Sequence, residues 1–268
     1  MRRHLVRPGT HVRLTDFDPA DTGRHADEAA ARTKLGRDIE RLTRLQDVLY
    51  ADRRWSVLVV LQGMDTAGKD GTVKHVMSGV NPSGCEVIPF KTPTEEEAAH
   101  DFLWRVHRHT PRRGHITIFN RSHYEDVLFP RVHRTVPHAT LKARYGRIND
   151  FERLLVESGT VLLKFFLHIS KREQGARLRE RLADPNKAWK FSEADVRERR
   201  LWRAYQRAYE HLLTRCGTAH APWHVIPADR KWYRNLAVAE VIVDALESLD
   251  LRYPPPALSA ARRARLRL

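Results

Sequence analysis

The run Trp55-Ser-Val-Leu-Val-Val-Leu61, followed at once by Gly63-Met-Asp-Thr-Ala-Gly68-Lys69-Asp70, constrains the fold of this chain more than any other stretch. A short, β-branched apolar segment with charge before it and glycine after it marks a strand buried on both faces, the kind found in parallel sheets covered by helices. The glycines let the backbone curl so that successive N–H groups face one point, and the helix that follows adds the positive end of its dipole. G-x-x-x-x-G-K between strand and helix is the spacing of a phosphate loop, with Lys69 reaching over the outer oxygens. An ordinary Gly-rich turn is the plainer alternative, and the flanking strand and helix weigh against it.

The rest of the chain repeats the alternation. Apolar runs at Cys85–Phe90, His115–Phe119, Val161–Ile169 and Trp223–Pro227 read as strands. Helical periodicity covers Ala26–Asp52, Thr94–His109, Thr140–Glu157, Lys171–Leu182, Glu193–Arg215 and Tyr233–Leu249. Strands alternating with helices predict an α/β fold: a parallel sheet with helices on both faces. Nothing repeats and no linker intervenes, so residues 1–268 read as a single domain. Residues 1–22 form an irregular arm lying on it, and 254–268 form a Pro/Arg-rich tail.

The loop departs from the usual pattern in two ways. Asp70 stands where a magnesium-ligating Ser or Thr is expected, and Asp65 sits inside the loop, out of place beside anions unless a hard cation is held there. Asp65 is therefore the first candidate metal ligand, with a turn-forming Asp as the plainer reading. A second group belongs at the end of a neighbouring strand, because ligands of such sheets sit at the carboxyl ends of strands. There the run Ile116–Phe119 ends in Asn120-Arg121-Ser122-His123-Tyr124-Glu125-Asp126. Asn120 replaces the expected Asp and cannot neutralise a cation, so Glu125, Asp126 or Asp65 must supply that charge. Arg121 is placed to meet phosphate oxygens, unless it forms a surface ion pair with Glu125.

Charge fits an anionic ligand: 48 Lys+Arg against 33 Asp+Glu give +15, and only 10 of the 48 are Lys. Guanidinium forks suit bidentate phosphate capture. Nucleic acid would suit the same excess. Two distant cysteines, Cys85 and Cys216, support neither a disulfide framework nor a metal knuckle, and a reducing cytoplasm fits them. No apolar run approaches the ~20 residues of a membrane span, and the N-terminus lacks a signal-like apolar stretch. Seven histidines between His100 and His138 show no ligand spacing and are not read as a metal cluster.

Several motifs taken together carry a resemblance. Gly63–Gly71, Thr72–Pro82 (TVKHVMSGVNP), Phe119–Leu128 (FNRSHYEDVL), Lys164–Lys171 (KFFLHISK), Asp184–Phe191 (DPNKAWKF) and Pro227–Asn235 (PADRKWYRN) resemble, in order, the second family of polyphosphate kinases. The likeness implies a three-layer α/β/α P-loop kinase fold with a helical lid over about 171–200. It implies phosphoryl transfer from inorganic polyphosphate, with Mg²⁺, to a nucleotide, and assembly as a dimer or tetramer. The Glu125-Asp126 pair resembles the subgroup that phosphorylates both AMP and ADP; adenine and guanine are not distinguished. The Walker-type loop with Thr66, Ala67, Gly68, Asp70, Gly71 and Lys74 would cradle polyphosphate. Asp65 matches the magnesium-binding Asp, Lys69 the loop lysine and Arg121 the phosphate-contacting arginine, with Glu125 the candidate second metal ligand. Asn120, Glu125 and Asp126 fall on the nucleotide side.

Arg177 and Arg181 lie four apart on one helical face and repel unless an anion lies between them, the alternative being a solvated helix with Glu173–Arg177 pairing. In the lid, Lys187 suits a phosphate contact and Trp189 a base contact or core packing. The absence of an obvious general base fits this chemistry, since a nucleotide phosphate with a second pKa of about 6 is already anionic. An ATP-dependent kinase of small molecules and a basic nucleic-acid-binding protein are the competing readings.

Overall fold

A computed structural model describes residues 4–25, 27–258 and 262–263. Five strands, β1 (Ser56–Gln62), β2 (Cys85–Pro89), β3 (Ile116–Asn120), β4 (Thr160–His168) and β5 (Trp223–Pro227), form one sheet in the order β2-β3-β1-β4-β5. All pairings are parallel. Every residue of β1 is buried, as expected for the central strand of a sheet covered on both faces. The register sets Leu61 beside Asn120 and Phe165, so the segments leaving β1 and β3 emerge side by side.

Among the described residues ten α-helices connect and cover the strands: α1 (Glu28–Asp52), α2 (Lys69–Val76), α3 (Glu95–Ala99), α4 (Trp104–His107), α5 (Glu125–His133), α6 (His138–Glu157), α7 (Lys171–Ala183), α8 (Glu193–Arg200), α9 (Trp202–Arg215) and α10 (Lys231–Glu247). The expected helix over Thr94–His109 is two short ones, because His100 adopts an extended conformation (ψ 176°) and the Asp101 carboxylate caps the Leu103 N–H at 2.9 Å. Glu193–Arg215 likewise divides at Leu201. Glu125–His133, outside the helices read from the sequence, is helical although it contains Pro130. Pro130 has no N–H for the Asp126 carbonyl, and Arg144 Nη1 donates to that oxygen instead at 2.8 Å.

Residues 4–22 pack against the sheet and its helices. Val6 N–H donates to Trp223 O (2.8 Å), and Val6, Val12 and Leu14 are buried. Of the tail arginines, Arg265 and Arg267 lie outside the described residues. Among the described residues no helix is long and apolar enough to cross a membrane.

Candidate active site

The loop between β1 and α2 turns on Gly68, whose φ of 104° is one that residues with a Cβ rarely adopt. A Cβ there would fall 1.7 Å from Arg234 Nη1, so a guanidinium occupies the space behind the loop. Lys69 opens α2, buried, and its Nζ donates back to Gly63 O at 2.7 Å. Burial pushes its pKa down, helped by Arg121, while Asp65, Glu125 and Asp70 act the other way. A lysine ringed by three carboxylates and an arginine marks the centre of a charged cluster.

The cluster spans both strand ends. Arg121, with a left-handed φ of 62°, donates to Asp65 Oδ1 at 2.8 Å, tying β3's exit to the phosphate loop. Asn120 Nδ2 donates to Asp70 Oδ1 at 2.6 Å. Asp70 and Asn120, each a departure from the usual motif, are thus partners: a carboxylate on the loop side meets an amide on the strand side. Burial raises the pKa of Glu125 against the lowering pull of Arg121 and Lys69. Gln62, with its amide turned to satisfy both ends, donates to Glu125 Oε1 at 3.1 Å and accepts from Ser122. Asp65, Lys69, Asp70, Asn120, Arg121 and Glu125 therefore form one constellation.

Other expected site residues are engaged elsewhere. Arg177 is buried, and all five of its N–H donors are used: Nε on Glu173 (2.9 Å), Nη1 on Thr66 O (3.0 Å) and Ala67 O (3.3 Å), Nη2 on Ala228 O (2.6 Å) and Asp229 O (2.9 Å). It clamps the loop's carbonyls to the β5–α10 connection and does not share an outward face with Arg181, which turns to Lys190 O and Asp195. The Glu173 pairing weighed at the sequence level is present. Lys187 pairs with Asp184 at 2.7 Å. Trp189 is 76% exposed, which excludes core packing. Lys74 is exposed on α2. Asp126 accepts from Arg105 (3.3 Å), with its carboxyl pKa raised by burial against that arginine.

Three supports went unassigned in the sequence. Arg234 donates to Ala67 O (3.1 Å) and Asn235 Oδ1 (2.8 Å), and burial, with Arg177 nearby, lowers its pKa to about 9. Gln174 of α7 donates to Asp65 O at 3.2 Å. Beneath α5, Lys164 donates to Glu152 Oε2 (2.6 Å), Tyr124 OH (2.9 Å) and Cys216 O (2.7 Å), while the Tyr124 hydroxyl and His123 Nε2 also meet Glu152. The only sequence signals were Lys164 interrupting an apolar strand and Arg234 within a quoted motif.

Among the described residues no three His, Cys, Asp or Glu side chains form a closed metal cage. The donor set nonetheless fits a magnesium ion shared with phosphates, which needs only one or two protein carboxylates. Asp65 uses Oδ1 for Arg121 and makes no hydrogen bond through Oδ2 among the described residues.

Residues 25–254 match the family model described as Polyphosphate kinase 2. The chain is 51% identical over 257 residues to an AMP/ADP-polyphosphate phosphotransferase of Meiothermus ruber, spanning 96% of each chain. It is 46% identical over 232 residues to an ADP-polyphosphate phosphotransferase of Rhodopseudomonas palustris, over 82% of this chain and 80% of that one. A crystal structure of Polyphosphate Kinase 2 from Arthrobacter aurescens TC1 superposes with a TM-score of 0.93 at 44% identity, covering 96% of this chain and 93% of the other.

Proposed function

The chain belongs to the polyphosphate kinase 2 family, and from that premise we propose that it transfers a phosphoryl group reversibly between inorganic polyphosphate and the adenine nucleotides AMP and ADP. The observation that carries this reading is the convergence of Asp65, Lys69, Arg121 and Glu125 at adjoining strand ends, where the phosphate loop opens.

The attacking group is a nucleotide phosphate oxygen, so no strong base is needed and catalysis is a matter of positioning and charge stabilisation. In this reading the loop N–H groups from Thr66 to Gly71 cradle the donor. Lys69 and Arg121 meet the oxygens on which charge builds, and the buried arginines behind the loop hold its curvature. Magnesium, when bound by Asp65 and Glu125, screens the repulsion between the two polyanions. In this reading Glu125, at the start of α5, faces the acceptor, with Asp126 beside it paired to Arg105. Cys85 and Cys216 are both free thiols, which supports a reducing cytoplasm, and the family likeness supports a homodimer or tetramer.

Incubation of the pure protein with long-chain polyphosphate, MgCl₂ and AMP is expected to yield ADP and ATP. No nucleotide product overturns the proposal, and a clear preference for ATP over polyphosphate as donor would make the chain an ATP-dependent kinase instead.

A further inference from the structure

A cavity of about 730 Å³ opens between the arm, the start of α7 and one face of α9. That volume lies within the range of small-molecule sites. It is separate from the phosphoryl-transfer cluster. Tyr205 of α9 faces α5 through Glu198 and His133, and the buried Tyr209 lies within electrostatic reach of Glu125 and Asp65. Arg203 and Arg207 line the cavity two residues from these tyrosines, about 200° around the helix. The helix itself stands between the two regions.

The lining combines aromatic and cationic surface with two carboxylates, Asp18 and Glu210, which accept from the backbone N–H groups of Ala20 and Leu14 respectively. Phe17 and Trp202 supply aromatic walls, and Arg203, Arg207 and Lys171 stand at the exposed mouth. None of these three cationic groups has a hydrogen bond or ion pair among the described residues. Arg203 and Arg207 are four residues apart on one helical face, so their guanidinium groups repel without an anion between them. Two of the lining residues each carry a buried polar atom that lacks a partner among the described residues: His168 Nδ1 and Gln206 Nε2. His168 is only 6% exposed. Its Nε2 meets Phe17 O at 3.1 Å, which makes Nε2 the protonated nitrogen and leaves Nδ1 a bare acceptor. Buried polar atoms without partners are uncommon enough to ask what completes them.

One acceptor and one donor between aromatic walls complement a purine edge, whose amino group donates and whose ring nitrogens accept. The unpaired cations complement phosphates. Polyphosphate would use the cations but leave the aromatic walls and both buried polar atoms unused. We propose that this cavity is a second nucleotide site, distinct from the acceptor site, taking the base against Phe17, Trp202, His168 and Gln206 and the phosphates on Arg203, Arg207 and Lys171. Its walls include the first residue of α7, which also carries Gln174 and Arg177 onto the phosphate loop. Occupancy there therefore acts on the helix that shapes the loop. This site presupposes that the chain handles nucleotides, as proposed above.

Equilibrium dialysis with radiolabelled ADP, in magnesium buffer without polyphosphate, is expected to give two ADP per chain. The Arg203→Ala/Arg207→Ala variant should retain one, with affinity of the second class lowered about tenfold or more. Gln206→Leu, which keeps every charge, should weaken the same class. One ADP per wild-type chain, or two undiminished in both variants, overturns the proposal. Loss of polyphosphate affinity in the double variant with two ADP retained reassigns the cavity to the donor and overturns it too. Turnover measured on the same preparations separates the readings: two ADP without turnover sinks the polyphosphate reaction alone, and one ADP with normal turnover sinks this site alone.

Discussion

Removing the Lys164 cation tests how the acceptor side of the site is supported. Lys164, Glu152 and Tyr124 are fully buried, and Lys164 spends its three N–H donors on Glu152, Tyr124 and Cys216 O. Burial works to raise the Glu152 pKa, yet Lys164 and His123 hold it below the ordinary value of 4.5. Lys164→Met leaves a buried carboxylate without its cation, a change that typically costs about 3–5 kcal/mol. In a chain of this size that lowers Tm by about 6–20 °C. Glu152→Gln strands the opposite charge and should cost a similar amount, whereas the double variant removes both charges and should be more stable than either single one. The sign with pH follows. In wild type, a carboxyl with a depressed folded pKa contributes stability above about 4.5 that is lost as pH falls through the folded value. In Lys164→Met the unpaired Glu152 takes up a proton on acidification, so the gap from wild type should narrow from pH 7 to pH 5. Urea unfolding followed by tryptophan fluorescence reads all four proteins. Additive costs in the double variant, or a single-variant cost below about 1 kcal/mol, would refute the reasoning.

Three other outcomes are expected. Arg177→Lys replaces a planar five-donor fork with a point charge; thermal unfolding should show a loss of about 2–4 kcal/mol, and the KM for polyphosphate should rise as the loop loosens. Chelation with EDTA should abolish turnover while circular dichroism stays unchanged, because among the described residues no closed protein cage is built around a metal. Glu125→Asn should lower AMP use more than ADP use in acceptor profiling, and an equal loss for both would remove Glu125 from acceptor choice.

The sheet was legible because each strand is a short apolar run with turn residues at its ends, and burial on both faces leaves no other use for Val57–Leu61. The helix Glu125–His133 was not, since Pro130 looks like a breaker until a distant arginine, Arg144, is seen bonding the carbonyl it frees. Asp65, Lys69, Arg121 and Glu125 could be placed together because strand ends in a parallel sheet are neighbours whatever the intervening sequence. The partnership of Asn120 with Asp70 was hidden, although both were singled out. Each breaks a motif separately, and only the strand register sets them facing one another.

The charge of +15 looks different once the hydrogen bonds are counted residue by residue. On the sequence it suggests a track for a phosphate polymer, converging on Lys69, Arg121 and the Arg177–Arg181 face. Yet Arg177 and Arg234 are buried, and both donate to the Ala67 carbonyl from behind the loop. Curling a loop so that its N–H groups face a phosphate turns its carbonyl groups the other way, into the protein, where each needs a donor. A guanidinium supplies several donors from one side chain, and its positive charge adds to the field felt by the anion on the far side. Part of the arginine excess thus follows from the loop's own geometry before any ligand binds. Exposed cations without a hydrogen bond or ion pair among the described residues include Lys74 on α2 and Arg203 and Arg207 on α9, and Arg121 joins them if it exchanges Asp65 for a phosphate. A salt titration should separate the two populations. Ligand affinity carried by the second set should weaken with ionic strength, while unfolding free energy, which rests on the first, should change little.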